Sequence, residues 1–209
     1  MKSILASITT LCYLAACAVA VTFQANASIG NCDAEYLSVA GNLDGPKLTC
    51  INDTVLDFWY FDAISPDQKS SVVLSFYLST ADAFPFLTDP TNVVPTVGIM
   101  ASYPNGTSFS YEFAADQATI TSEADTSCGE YTGADFEGGS AAWSSYVDSG
   151  VTTYTILIDV PLAGVHGSVV LSSIAPAHYP CTSDITTAGA REEIAYVIPE
   201  QYHLPWFDS

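Results

Sequence analysis

Positive charge is the scarcest property of this chain: 4 Lys and Arg stand against 23 Asp and Glu in 209 residues. A phosphate-binding surface needs basic side chains to displace counterions, so nucleic acid is excluded as a partner. Docking on an anionic membrane face is excluded on the same ground. The acidity reads as solubility in an extracellular or acidic setting. Helical periodicity is almost missing as well. Only residues 191–198 have the pattern and length for two helical turns before Pro199 stops them. There is no G-x-S-x-G elbow, because Gly138-Gly139-Ser140 lacks the second flanking glycine. No H-x-H, H-E-x-x-H, C-x-x-C or acidic calcium loop occurs, so no metal site is expected. The many carboxylates make pairs by chance, so they do not identify a glycosidase.

What is present begins with a leader. Lys2 precedes an apolar, uncharged run from Ile4 to Val21, and two A-x-A patterns follow, Ala18-Val19-Ala20 and Ala25-Asn26-Ala27. This is the layout of a secretory signal peptide over residues 1–20, with cleavage as late as 27. The expected location is the secretory pathway or the extracellular space, with no membrane contact after cleavage. Cys12 and Cys17 leave with the leader, and Cys32, Cys50, Cys128 and Cys181 remain. An even number of cysteines in an oxidising compartment implies structural disulfides, with three pairings open. Two sequons lie beyond the leader, at Asn52-Asp53-Thr54 and Asn105-Gly106-Thr107; a third, Asn26-Ala27-Ser28, sits at its edge. Asn52 and Asn105 are the expected glycosylation sites.

The dominant period is two. In Ser71 to Leu78, the side chains of Val72, Leu74, Phe76 and Leu78 share one face, with Ser75 and Tyr77 on the other. Residues 96–103 repeat the pattern, Pro104-Asn105-Gly106-Thr107 makes a turn, and Phe109, Tyr111 and Phe113 alternate after it. That combination predicts a β-hairpin with Asn105 at its tip. Further strands are expected at 57–65, 118–123, 140–146, 152–160 and 167–174. Gly, Pro, Asp and Asn cluster between them. Short strands at regular spacing predict an all-β, antiparallel β-sandwich with little helix, spanning residues 28–185. Residues 186–209 read as a tail, the start of a linker to a further domain.

The most distinctive stretch is Asp57-Phe58-Trp59-Tyr60-Phe61-Asp62-Ala63-Ile64-Ser65. As a strand it turns Phe58, Tyr60, Asp62 and Ile64 one way, and Asp57, Trp59 and Phe61 the other. A carboxylate among aromatics is costly to bury without hydrogen bonds, and such a group can anchor a ligand in an apolar pocket. The alternative is that Trp59 and Phe61 are core and Asp62 serves nearby backbone amides.

Three runs, Gly45-Pro46-Lys47-Leu48, Asn52-Asp53-Thr54 and Phe58-Trp59-Tyr60-Phe61-Asp62-Ala63, resemble the N-terminal half of the fungal Diels–Alderase family, relatives of hydroxyneurosporene synthase (CrtC-type) hydratases. Ser71–Tyr77, Tyr103–Thr107 and Ala175–Cys181 continue the resemblance in order. It implies a lipocalin-like (calycin-like) sandwich that packs on a second β-barrel domain, with the ligand pocket largely between them. It also implies an isomerase acting by intramolecular [4+2] cycloaddition. The substrate would be an apolar polyene with a polar head group, in secondary metabolite biosynthesis and without cofactor. Members run to nearly twice this length, so this chain reads as lacking the second barrel. On this reading Asp62 and Tyr60 are catalytic, and Trp59, Phe61, His178 and Tyr179 bind substrate. The other readings are a secreted lipocalin-like binder of an apolar small molecule and a CrtC-like hydratase or rearrangement enzyme.

Overall fold

A computed structural model describes residues 19–33, 44–88 and 93–175. Ten strands follow one another: β1 Val19–Gln24, β2 Asp57–Ile64, β3 Ser71–Leu78, β4 Pro95–Ser102, β5 Ser108–Ala114, β6 Gln117–Glu123, β7 Thr126–Thr132, β8 Ser140–Asp148, β9 Val151–Val160 and β10 Val165–Ser172. They form two antiparallel sheets, one in the order β2-β3-β4-β5 and the other β1-β6-β7-β8-β9-β10. The expected antiparallel all-β architecture is the observed one. The only helical pieces among the described residues are 3-10 turns at Ala134–Phe136 and Pro161–Ala163.

The inward faces are set by parity. Trp59 and Phe61 of β2, Leu74 and Phe76 of β3, and Val97 and Ile99 of β4 are buried. They meet Ile120, Tyr131, Trp143, Tyr154, Ile156 and Ile158 of the other sheet in one core. Ring contacts bridge the layers: Trp59 to Trp143 at 5.1 Å, Phe76 to Tyr131 at 5.3 Å and Phe61 to Tyr154 at 5.6 Å between centroids. Each such side chain removed from water contributes roughly 1.5–3 kcal/mol.

The open side of the sandwich along β2 is closed by residues 44–51, which insert Leu48 and Ile51 into the core. Trp59 Nε1 donates to the Asp44 carbonyl at 3.0 Å. A disulfide joins Cys32 to Cys50, which selects one of the open pairings. Closing a loop of this length stabilises by about 3 kcal/mol in the chain-entropy account. Cys128 is disulfide-bonded too; Cys181, His178, Tyr179 and the helix expected at 191–198 lie outside the described residues.

Two strands lie outside the sequence expectation. Residues 19–24, which overlap the expected leader at Val19 and Ala20 and precede the expected start of the sandwich at 28, form edge strand β1 against β6, with Phe23 buried opposite Ala118. Strand β7 has no apolar alternation; it presents Ser127, Gly129 and Tyr131 inward, and Gly129 is there because an added Cβ would collide with the Trp143 indole. The β4–β5 hairpin forms where expected, with Asn105 at its tip, and the left-handed residue of its turn is Gly106, with φ 82°. The turn is the four-residue kind closed by Gly106 N to Tyr103 O at 3.0 Å.

Candidate active site

The outward face of the four-stranded sheet is unusually aromatic. Phe58, Tyr60, Asp62 and Ile64 stand beside Tyr77, Ser75 and Val73 of β3, and those beside Thr96, Gly98 and Met100 of β4. Tyr60 is 53% exposed and Met100 46%, while Asp62 is exposed beside them. The loop after β3 turns back through a Phe84 N to Thr80 O bond and stacks Phe84 on Phe58 and Tyr77, at 6.1 and 5.6 Å. Its far end is fastened to β5, where Thr88 N and Oγ1 donate to Glu112 Oε2 at 2.9 and 2.8 Å. One end of the face is thus walled by a short aromatic loop.

The centre of that face is a row of small residues. Tyr60 lies opposite Ser75, and Ser75 opposite Gly98. Gly98 leaves room for the Tyr77 ring, whose Cε2 would sit 3.2 Å from an added Cβ. The Ser75 hydroxyl is buried with no hydrogen-bond partner. Burial pushes the Tyr60 phenol above its ordinary range, and the neighbouring Asp62 charge and Tyr77 push it further. Tyr60 therefore stays protonated at neutral pH and offers an O–H donor.

A second polar group lies inside, where β2 meets residues 44–51. Asp57 shares parity with Trp59 and Phe61, so it turns inward, yet it keeps some solvent-accessible surface. Its Oδ2 accepts from the Lys47 backbone N–H at 3.1 Å. Burial raises the Asp57 carboxyl to about 6, opposed only in part by that bond and by the Lys47 charge. The Asp57 charge also acts on Tyr131, whose fully buried hydroxyl has no partner and whose phenol is pushed well up, first by burial. Asp44 accepts from Tyr154 Oη at 3.0 Å, and burial raises its carboxyl despite bonds from Tyr154 and Ser145.

The structure thus divides the residues singled out in the sequence. Tyr60 and Asp62 come together on the open face, with Phe58, Tyr77, Ser75 and Phe84 around them. Trp59 and Phe61 are core between the sheets, where they touch Trp143 and Tyr154. Asp57, Asp44, Tyr131 and Tyr154 were not singled out as site residues. For Asp57 the signal was in the sequence, since a carboxylate in phase with two buried aromatics must be enclosed with them. Nothing in the sequence marks the orphaned Ser75 hydroxyl, because a serine in the polar phase of an alternating strand reads as exposed.

Residues 19–204 match the Diels-Alderase-like family. The chain belongs to that family. Among the curated relatives of this Diels-Alderase-like chain, the quinolone epoxide rearrangement protein asqO of Emericella nidulans is 30% identical over 178 residues. That alignment covers 83% of this chain and 44% of asqO. The quinolone epoxide rearrangement protein penF of Penicillium thymicola is 31% identical over 150 residues, covering 69% and 39%. The crystal structure of CghA with Sch210972 superposes with a TM-score of 0.57 at 21% identity, over 76% of this chain and 40% of CghA, a likeness of fold. The chain spans less than half the length of the curated relatives it matches.

Proposed function

We propose that this chain serves as a cyclase, or the part of one, that closes a ring by intramolecular [4+2] cycloaddition of a polyene in fungal secondary metabolism. The observation that carries the reading is the open aromatic face, where the exposed Tyr60 phenol stands beside Asp62 among Phe58, Tyr77 and Phe84. A cycloaddition needs little more than shape: diene and dienophile held in a near-attack geometry. A phenol donating to the carbonyl that activates the dienophile lowers the barrier further. Asp62 beside it suits a polar head group that carries a donor. Family membership supports the reaction class, and none of these roles needs a cofactor.

The test is product formation in a host that makes the linear precursor, with and without this gene. Loss of a single stereoisomer on deletion is the expected result; an unchanged product profile overturns the reading. Tyr60→Phe is expected to lower kcat/KM by about 10- to 100-fold if the phenol donates to developing charge.

A second reading, acid-promoted rearrangement of an epoxide, is favoured by one observation. Asp57 retains its proton up to about pH 6 while partly exposed at the start of β2. The names of asqO and penF support it. Offering an epoxide and a polyene precursor in parallel separates the two, since Asp57→Asn abolishes turnover of the epoxide and spares the polyene.

The secretory location is part of the same proposal. It is supported by the leader pattern and by the Cys32–Cys50 disulfide, a bond that persists in oxidising compartments. Among the described residues, no helix is long and apolar enough to cross a membrane.

A further inference from the structure

We propose that Asn105 is the N-glycan acceptor of this chain and that Asn52, with the same Asn-x-Thr signature, is a structural residue. The two sequons fold alike. Asn105 Oδ1 accepts from Thr107 N at 3.0 Å and Thr107 Oγ1 at 2.7 Å; Asn52 Oδ1 accepts from Thr54 N at 2.9 Å and Thr54 Oγ1 at 2.8 Å. The difference is at Nδ2, the atom that forms the glycosidic bond. Asn52 Nδ2 donates to the Gly30 carbonyl at 2.8 Å, on a half-buried side chain two residues from disulfide-bonded Cys50. Asn105 Nδ2 has no partner among the described residues. Every residue from Ser102 to Ser108 is exposed, and an added Cβ at Gly106 would meet nothing within 4 Å. Asn26 is exposed, but its backbone is pinned on both sides by Val94 N to Ala25 O at 3.0 Å and Ser28 N to Ile51 O at 2.7 Å.

The modification is a group transfer from a lipid-linked oligosaccharide pyrophosphate. Asn105 Nδ2 attacks the anomeric carbon; the C–N bond forms as the C–O bond to pyrophosphate breaks. The lipid pyrophosphate leaves with the electron pair, and a base of the transferase takes the Nδ2 proton. At Asn52 the same step competes with closure of the adjacent loop and disulfide. At Asn105 nothing in the folded hairpin opposes it.

The experiment is expression of the full chain in yeast, once with its own N-terminus and once behind a yeast secretory leader, followed by glycopeptide mass spectrometry. A single glycan at Asn105 in both arms is expected. Asn105→Gln removes it and leaves the melting temperature unchanged, whereas Asn52→Gln keeps it and lowers the melting temperature by several degrees. The inference rests on the proposed secretory location, and the two arms separate their failures: a bare Asn105 behind the yeast leader, or a principal glycan at Asn52 or Asn26, overturns the acceptor assignment, whereas a bare Asn105 only behind the chain's own N-terminus overturns the location. An Asn52→Gln protein that melts like the parent overturns the structural half of the inference.

Discussion

Parity along β2 turns Asp57 inward and Asp62 outward, five residues apart on one strand. The consequence for Asp57 is a carboxyl that folding protonates more easily, because enclosure penalises its charged form. Its pKa is raised from 3.8 unfolded to about 6 folded, so its contribution to stability is full below pH 3.8 and is lost as pH rises through about 6. The difference is worth up to about 3 kcal/mol. Asp44 shifts in the same direction. The protein is therefore expected to lose stability between about pH 4 and about pH 7, measured by urea denaturation at stepped pH. Asp57→Asn should flatten that slope without removing the part due to Asp44. Gly129 makes a simpler case. Its missing Cβ is the space filled by the Trp143 indole, so Gly129→Ala is expected to cost about 1–3 kcal/mol as an overpacked core site. An unchanged denaturation midpoint would refute that account.

Strands declare themselves unequally. β3 and β4 alternate apolar and polar residues on a half-buried face, and both lie close to their expected positions. β7 does not alternate, because its inward positions are Ser127, Gly129 and Tyr131. It becomes a strand by pairing with β6 and β8 on either side, a cause that a one-strand pattern does not contain. β1 overlaps the expected leader of residues 1–20 only at Val19 and Ala20, and a secretory h-region and an edge strand are both short apolar runs. Its pairing with β6 buries Phe23 and protects the β6 edge. Cleavage after Ala27 would remove that strand entirely. N-terminal sequencing of secreted protein is accordingly expected to find a start no later than Val21; a start at Ser28 would mean that the sandwich stands without β1.

Taken whole, the chain carries a formal charge of −19 over 209 residues, and the described residues form a β-sandwich around an aromatic core. Such self-repulsion is screened by salt beyond roughly 8 Å at physiological ionic strength. Raising NaCl from near zero to about 0.15 M is expected to raise the melting temperature, a shift that scanning calorimetry resolves. What the amino-acid order determined by itself is the architecture and the division of faces, since alternation with period two commits each side chain to one side of a sheet. The phase of Trp59 and Phe61 against Tyr60 and Asp62 was readable on that ground alone. The tertiary structure decided which face meets the other sheet and which stays open. It also chose the Cys32–Cys50 pairing and left the hydroxyls of Ser75 and Tyr131 without partners. Those outcomes depend on residues distant in sequence arriving at the same place, and periodicity carries no information about distance.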